Sequence, residues 1–502
     1  MRYIGIVLVI ASLPGFYLIL TSQPQFRRWA YFALGFLPLL LSALNVDAAF
    51  YNLPRWLGYT DSISFSLLDT LALALIATHR NVLKNLPFVG PFLVYILAVA
   101  TSTFFAEQFI PATFYVVQLM RVFIIFLAVA AVVKEPEAVK MICLGLACGA
   151  VYQGAMGIYQ RLTGVFQVTG SFAHQNTLGF MLHFVTIPLL SLVMLKKQPA
   201  IYLWAIAAGT IAVSLSASRG SIAFVAMGVV LLFALSLIRQ STSRKYGIIG
   251  GVAVLAVVVS PIVVAGLDKR YETLDEGSYD ERAAFESAAT MMLQENPMGV
   301  GANQYPLAAN LLGYSDRAGV IWAYGSRSAN VHHMYLLMGA ETGWGGMLSF
   351  SFLLFWIIVR GLAFALRNRR DPIGDLVLGF TVTMIVIAIH GFYEWIFVTY
   401  EVQTIFAVAL GIIAGSIRLA NSGKISTMLA EQRAAAGEVE EGEEANGSTG
   451  AGAPGLAGTS GLGRPGKAQP VLPLAAARKP EKAKDRGIKG VMLSPPPSRS
   501  TK

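Results

Sequence analysis

Long apolar runs separated by short polar connections recur along most of the chain. A run of about 20 apolar residues crosses the hydrocarbon core of a bilayer as an α-helix. Thirteen segments approach or meet this length, so the pattern predicts an all-α polytopic integral membrane protein with 12–13 transmembrane helices. The segments are 3–21, 29–44, 61–78, 86–105, 111–133, 138–158, 177–195, 200–217, 220–238, 247–266, 334–359, 375–397 and 402–417.

The composition agrees with this pattern. Of 502 residues, 55% are hydrophobic and 13% are charged, and the mean hydropathy is +0.60, far above what a soluble protein of this length needs. The first apolar run lacks a convincing small-residue cleavage site and is interpreted as a retained span. Cys143 and Cys148 lie in one predicted span, where they cannot form a disulfide with each other.

The distribution of Lys and Arg predicts the orientation, because basic residues beside a span are retained in the cytoplasm. One set of alternate connections carries seventeen of them, whereas the opposite short connections and the N-terminus carry four. This bias places the long loop 267–332 outside the cytoplasm. We therefore expect a membrane domain over residues 1–423 with one long outer loop that contains short helices.

A change in composition follows Lys424. The sequence there is first acidic, then rich in Gly, and finally rich in Lys, Arg and Pro. Such a segment buries too little apolar surface to offset the entropy lost on ordering, so residues 424–502 are predicted to be a disordered cytoplasmic tail. The net charge of +10 arises largely from this tail and the inner loops, which indicates contact with membrane lipids and no binding of nucleic acid.

Arg121 is the first candidate for function, since a charge near the middle of an apolar span is costly and is usually retained for a purpose. Gln118 lies three residues earlier on the same helical face, so the two side chains could line a polar cavity. The alternative is a structural arginine that is bonded to a neighbouring helix.

Two outer turns supply further candidates. His174 and Asn176 stand at the predicted start of a span, where an anion or a sugar hydroxyl can bind, although the same residues could serve only as a helix cap. Arg219 lies in a turn of a few residues between two spans. Its guanidinium could bind two phosphate oxygens, or could simply contact lipid headgroups.

The long loop contains a predicted amphipathic helix, with Phe285, Ala288, Ala289 and Met292 at helical spacing, that ends before Asn296 and Pro297. Arg282 falls in its first turn, where the helix dipole disfavours a cation. We expect it to face a ligand, or else to pair with Glu281 or Glu286. The loop carries five basic and nine acidic residues, so an anion site there requires specific geometry and not bulk charge.

The adjacent His332 and His333 end the long loop. A histidine before a span is often an interfacial polar residue. Beside several guanidiniums, however, an imidazole has a lowered proton affinity and can accept a proton from an attacking hydroxyl. The chain contains no HExxH, CxxC, acidic DxD cluster or GxxxxGK[ST], so no metal or other cofactor is predicted and the energy for a reaction must come with the substrate.

The stretches GSFAHQNTLGF, SRG at 218–220, ERAAFESA with NPMGVGANQY, and HHMYLLMGAETGWGG together resemble the bacterial O-antigen ligase and polymerase superfamily. The resemblance covers about residues 60–420. It implies an inverting, metal-independent glycosyltransferase at the periplasmic face of the bacterial inner membrane. The implied donor is a glycan on undecaprenyl diphosphate, and the acceptor is a sugar hydroxyl such as that of a lipid A core.

The resemblance also implies residue roles. Arg219 and Arg282 correspond to family arginines that hold the diphosphate, and His332 corresponds to the histidine that activates the acceptor, three residues before Tyr335. The family usually has Asn after that histidine, where this chain has His333, and the ligases are generally described with twelve spans. The residues predicted to contact substrate are Arg121, His174, Asn176, His333 and Tyr335.

Three alternative functions remain open from the sequence. A polymerase would use another lipid-linked repeat unit of an O-antigen or exopolysaccharide as acceptor. A flippase or transporter of lipid-linked glycan would use Arg121 as a pathway residue. A scaffold role, with polysaccharide assembly proteins bound to the tail, depends on residues 424–502 alone.

Overall fold

The computed structural model describes residues 2–44, 47–195, 198–271, 277–369 and 371–423. The chain separates into two units, Met1–Ala436 and Gly437–Lys502, and all described residues belong to the first. The predicted tail therefore lies outside the described residues, and its disorder stays a prediction.

Within the described residues, the first half of the chain forms two β-strands and nine α-helices. They are α1 (Arg2–Ser22), α2 (Arg27–Phe36), α3 (Leu41–Leu44), β1 (Asp47–Asn52), β2 (Ser62–Ser66), α4 (Leu67–Ala77), α5 (Val89–Ser102), α6 (Phe109–Val132), α7 (Pro136–Leu162), α8 (Gln175–Leu195) and α9 (Ala200–Leu215).

The second half is helical wherever it has regular structure in the part that is described. Its helices are α10 (Arg219–Arg239), α11 (Ser243–Tyr271), α12 (Gly277–Glu295), α13 (Tyr305–Leu311), α14 (Tyr314–Arg317), α15 (Tyr324–Arg327), α16 (Met334–Arg367), α17 (Pro372–His390) and α18 (Tyr400–Asn421). Short 3₁₀ turns occur at Pro24–Phe26, Leu37–Leu39, Thr103–Phe105 and Ile396–Val398.

Eight of the described helices are long and apolar enough to span a membrane: α1, α6, α7, α8, α10, α16, α17 and α18. Helices α4 and α9, and α5 with the turn that follows it, are shorter but apolar. Helices α8 and α18 are almost wholly buried and form the centre, whereas α1 and α10 expose most of their apolar side chains. The protein is thus an all-α polytopic membrane protein, as predicted, and the count of 12–13 spans stays a prediction.

The predicted span 61–78 is wrong in its first part. Residues 62–66 form strand β2, which pairs antiparallel with β1. Residues 61–66 alternate polar and apolar side chains, which is the pattern of a strand. The following helix starts at Ser66, where the Ser66 backbone N–H donates to Asp69 Oδ2 (2.7 Å) and the Asp69 N–H to Ser66 Oγ (3.3 Å). This reciprocal cap fixes the start of α4 at Leu67.

The predicted span 375–397 is also too long, because α17 ends at His390. Residues 391–395 form a turn, and a 3₁₀ turn follows it, before α18 begins at Tyr400. The backbone N–H groups of Tyr393 and Glu394 both donate to His390 O, at 2.9 and 3.1 Å. Glu394 therefore lies in a turn beyond the helix end, with consequences for the site described below.

Helix α16 is interrupted at Gly343, whose φ of 66° and ψ of −171° suit only glycine. Residues 297–305 pack against this break: Trp344 N donates to Pro297 O (3.0 Å) and Gly301 N to Glu341 O (2.9 Å). A side chain at Gly343 would collide with Pro297 O. The Gly-rich GVGANQY stretch is thereby explained as the segment that docks the long loop on α16.

The carboxylate of Glu341 holds this segment in place. It is fully buried and accepts hydrogen bonds from the consecutive backbone N–H groups of Asn303, Gln304 and Tyr305, at 2.8–2.9 Å. The Tyr59 hydroxyl donates to Glu341 Oε2 (2.7 Å), the oxygen that also accepts from the Asn303 N–H. Bonds to several N–H groups satisfy a buried carboxylate without a cation, so residues 303–305 are anchored to α16.

Candidate functional site

Four chain segments meet at one end of the helices: the first turns of α8, α10 and α16, and the turn after α17. The backbone N–H of Met334, the first residue of α16, donates to Gly391 O (2.7 Å). A Cβ at Gly220 would lie 3.1 Å from His390 Nε2, and Gly179 packs directly on Ser221. The N-termini of three long helices therefore point to one place, where their N–H groups favour an anion.

Glu394 links two of these segments. Asn176 Nδ2, in the first turn of α8, donates to Glu394 Oε1 at 2.5 Å, and His332 Nδ1 lies 3.4 Å from Glu394 Oε2. Glu394 is 6% exposed, while the side chain of His332 is 26% exposed. A proton on Nδ1 that is shared with the carboxylate leaves Nε2 as the acceptor nitrogen. We call Asn176, His332 and Glu394 the His332 cluster.

Glu394 was not among the predicted site residues, because it falls inside the predicted span 375–397. The same rule that selected Arg121 also applies to an acidic residue between two apolar runs, as in HGFYEWIF, so the signal was present. Asn176 was predicted as a substrate contact. The structure gives it a bond to Glu394, which is compatible with a contact to substrate but does not require one.

His333 has a different environment from His332. Its Nδ1 accepts a hydrogen bond from Leu336 N (3.1 Å) and so caps the start of α16, and its ring packs edge-on against Phe392 at 5.3 Å. Burial lowers the pKa of His333, and the negative charge of Glu286 opposes this shift. Because the accepting nitrogen of His333 is occupied, the geometry favours His332 as the base.

Tyr335 and His174 contribute at the edge of the His332 cluster. The Tyr335 hydroxyl donates to Ala388 O (2.7 Å) and ties α16 to α17. His174 is exposed, and its Nδ1 accepts from Asn176 N (3.2 Å). Contact of either side chain with substrate stays a prediction.

Arg219 begins α10 after a three-residue connection, 216–218. Ser218 Oγ accepts from Ser221 N (3.4 Å) and caps this helix, and the positive φ of 50° at Ala217 lets the chain turn sharply. Arg219 is half-buried, and its neighbour Gly220 packs on His390, one turn before Glu394. The short turn therefore holds the backbone at the start of α10 close to the end of α17, and contact of the Arg219 side chain with the His332 cluster stays a prediction.

The predicted amphipathic helix in the long loop is confirmed as α12. Phe285, Ala288, Ala289 and Met292 are all buried, and α12 packs on α16. Glu286 lies close enough to influence the pKa of His333, and Arg282 stands one turn earlier on the same face. Arg282 is exposed, and among the described side chains it pairs with neither Glu281 nor Glu286. The role of Arg282 at the site stays a prediction.

Arg121 has partners that account for its guanidinium. Nε donates to Asp69 Oδ2 (2.8 Å), and the two terminal nitrogens donate to Ser64 Oγ (3.0 Å) and Asp47 Oδ1 (2.7 Å). The guanidinium carbon lies 3.8 Å from the centre of the Tyr400 ring. This geometry favours the structural alternative, a buried ion pair that joins the β-hairpin to α4, α6 and α18, and substrate contact by Arg121 stays a prediction.

Gln118 does not share these partners. Its amide nitrogen donates to Val398 O (2.7 Å) and to Gln403 Oε1 (2.9 Å). Among the described residues, no group of three or more His, Cys, Asp or Glu side chains is arranged to hold a metal ion. The described polar contacts thus centre on the His332 cluster, and the placement of Arg219 and Arg282 beside it stays a prediction.

Comparison with known proteins gives one family. Residues 204–351 match the family model described as O-antigen ligase. This range runs from α9 through the long loop into α16, so it includes Arg219, Arg282 and His332 but neither Asn176 nor Glu394. Among the curated proteins, none matches this chain.

Proposed function

We propose that this chain is a membrane glycosyltransferase that moves a glycan from undecaprenyl diphosphate to an acceptor sugar hydroxyl in surface polysaccharide synthesis. The match of residues 204–351 to the family model described as O-antigen ligase supports this proposal. The reaction takes place at the periplasmic face of the bacterial inner membrane, the side to which the Lys and Arg distribution assigns the long loop. The single observation that carries the proposal is the pairing of His332 with the buried Glu394.

His332 acts as the general base. Nε2 removes the proton of the acceptor hydroxyl while that oxygen forms a bond to the anomeric carbon of the donor glycan. The bond between this carbon and the diphosphate oxygen breaks, and its electron pair leaves on undecaprenyl diphosphate. A single displacement inverts the anomeric configuration. Glu394 stabilises the imidazolium that forms, and a base of this kind contributes about 10²- to 10⁴-fold in rate.

The leaving group carries negative charge as the bond breaks. We assign the binding of this charge to Arg219, at the N-terminus of α10, and to Arg282 in α12. A well-placed donor contributes about 3 kcal/mol to the stabilisation of the transition state. The resemblance implies that these side chains replace a metal ion in this role.

A polymerase would use the same base and the same leaving group, and would differ only in its acceptor. The experiment therefore offers two acceptors. Purified full-length protein in nanodiscs is given lipid-linked glycan with either a lipid A core acceptor or more lipid-linked repeat, and the release of undecaprenyl diphosphate is measured. The acceptor that supports release distinguishes a ligase from a polymerase, and a flippase would release none.

His332→Ala should lower the rate by about 10²-fold or more. His79→Gln is the matched control, because His79 bonds to Glu135 near the starts of α2 and α7, away from the His332 cluster. If His332→Ala keeps the wild-type rate in a folded protein, His332 is not the base and the proposal fails.

A further inference from the structure

A second polar site lies away from the His332 cluster. It is a cavity of about 350 Å³ between the α1–α2 connection and the start of α7. The side chains that give it its chemical character are Arg27, Arg28, Tyr31, Glu135 and Glu137. No role in glycan transfer involves these residues, which lie on the side that the Lys and Arg distribution assigns to the cytoplasm.

The cavity lies at the level where spans end. Helix α1 ends at Ser22 and α7 begins at Pro136, and both helices are long and apolar enough to cross the bilayer. Leu18, Phe26 and Trp29 are each about half exposed or more beside it. Exposed aromatic and aliphatic side chains around a polar cavity are typical of the membrane interface. A ligand here would have a polar part in the cavity and apolar parts along α1.

The carboxylate of Glu135 is held in its charged form. The Tyr31 hydroxyl donates to Oε2 (2.6 Å), and His79 Nε2 lies 3.4 Å from Oε1. The hydrogen bond from His79 lowers the pKa of Glu135, although partial burial opposes the shift. Glu137 adds a second, exposed carboxylate one residue into α7. The α7 side of the cavity is therefore negative.

The opposite side is positive. Arg27 Nε donates to Leu20 O (3.0 Å), which fixes the direction of its guanidinium, and the guanidinium of Arg28 lies 5.4 Å from the centre of the Trp29 ring. Among the side chains that the structure describes, neither arginine forms an ion pair with Glu135 or Glu137. Two cations and two anions thus line one cavity, and the charge of Arg27 is near enough to help lower the pKa of Glu135. This arrangement suits a ligand carrying both charges.

We propose that this cavity binds the headgroup of a phospholipid that carries a phosphate and a primary ammonium, as phosphatidylethanolamine does. The phosphate contacts Arg27 and Arg28, and the ammonium donates hydrogen bonds to Glu135 and Glu137. A quaternary ammonium has no N–H group to donate to a carboxylate. An anionic headgroup without an ammonium would offer no cation to either carboxylate and would be repelled by both of them.

Native mass spectrometry of the detergent-solubilised full chain tests this directly. Lipid-bound and lipid-free protein are quantified at matched concentrations of phosphatidylethanolamine, phosphatidylcholine and phosphatidylglycerol with identical acyl chains. We expect the ethanolamine lipid to bind several-fold more tightly than the other two, since each partly exposed ion pair contributes up to about fivefold in affinity. Equal binding of the choline lipid, or tighter binding of the glycerol lipid, would overturn the proposal.

Two exposed side chains allow each charge to be removed without disturbing the core. Glu137→Gln should weaken binding of the ethanolamine lipid by about threefold to fivefold and strengthen binding of the glycerol lipid. Arg28→Gln should weaken binding of both lipids. Lys84→Gln removes an exposed charge elsewhere and should change neither. Parallel losses for both lipids with Glu137→Gln would also contradict the proposal.

Soluble glycerophosphoethanolamine distinguishes the headgroup from the whole lipid as the recognised unit. Displacement of bound lipid at millimolar concentration supports recognition of the headgroup, and displacement by glycerophosphocholine at the same concentration counts against it. These measurements use no glycan donor. Their failure is therefore independent of the failure of the proposed transferase activity.

Discussion

Replacing Glu394 by Gln should move the ring proton of His332 from one nitrogen to the other, while the shape of side chain 394 hardly changes. In the native protein, Asn176 Nδ2 donates to Oε1 (2.5 Å) and His332 Nδ1 approaches Oε2 (3.4 Å). The new amide has one oxygen, and the Asn176 donor requires it to remain on the Asn176 side. The amide NH₂ then faces His332 Nδ1 and moves the ring proton to Nε2, the nitrogen that must act as the base.

The expected loss of kcat in Glu394→Gln has two contributions. Loss of the ionised partner of an imidazolium costs about 1.5–3 kcal/mol, or about 10- to 150-fold in kcat. The wrong tautomer removes the base itself and brings the loss towards 10²- to 10⁴-fold. The change is isosteric, so we expect the midpoint of thermal unfolding to move by only a few degrees.

The assay is the release of undecaprenyl diphosphate, with kcat and KM measured separately across pH. The loss should appear in kcat, because Glu394 acts on the base and not on the bound donor. A second substitution supplies the control: Asn176→Asp in the Glu394→Gln protein provides an acceptor for the amide NH₂ and turns the amide oxygen towards His332. We expect the kcat of this double variant to be at least about tenfold higher than that of Glu394→Gln alone.

Two results would refute this reasoning. One is a Glu394→Gln protein that retains more than half of the wild-type kcat, since the tautomer of His332 would then be irrelevant. The other is an equal loss in the single and double variants with unchanged stability, because a purely steric role for Glu394 would give that pattern.

Three further predictions concern neighbouring residues. Arg219→Gln should lower kcat by about 10²-fold. Arg219→Lys should give an intermediate kcat, because lysine keeps the charge but not the paired donors. A similar loss of kcat with the exposed Arg369→Gln would contradict a specific role for Arg219. Gly343→Ala should lower the midpoint of thermal unfolding, because the positive φ of Gly343 and the nearby Pro297 O both oppose a side chain. The backbone conformation alone should cost about 1–3 kcal/mol of stability. Gly345→Ala is the control, and it should be neutral or stabilising because Gly345 has open space around it. Because burial lowers the pKa of His333, the unfolded chain binds the proton more tightly than the folded chain does. The stability of the protein should therefore fall as the pH drops below about 6.5. In thermal scans from pH 8 to pH 5, the His333→Asn protein should lose less stability, because Asn can still cap α16.

The periodicity of the apolar residues predicted the class of fold and the amphipathic helix α12. It failed where local hydrogen bonds override hydropathy. The run 61–78 divides at Ser66 because that residue and Asp69 cap each other, and the run 375–397 ends at His390 because a turn follows it. Hydropathy averages over a window of residues and does not detect either capping interaction.

The candidate site was predictable in part. The motifs identified Arg219, Arg282 and His332. The structure packs the start of α10 on His390 and packs α12 on α16, and the roles of the three residues stay predictions. No pattern along the chain relates Asn176 to Glu394, which are 218 residues apart and meet only because α8 and α17 pack together. That contact depends on the tertiary arrangement of the helices.

Arg121 and Glu394 show what decides the role of a charge in an apolar segment. Both are buried, and both satisfy the rule that such charges are retained for a purpose. The partners of Arg121 are two carboxylates and an aromatic ring, and a guanidinium is a permanent cation. The partners of Glu394 are an amide and an imidazole, and a neutral imidazole has one donor nitrogen and one acceptor nitrogen, as acid–base chemistry requires. A charge paired with a permanent charge joins helices, whereas a charge paired with a titratable ring at an open helix end can take part in acid–base chemistry.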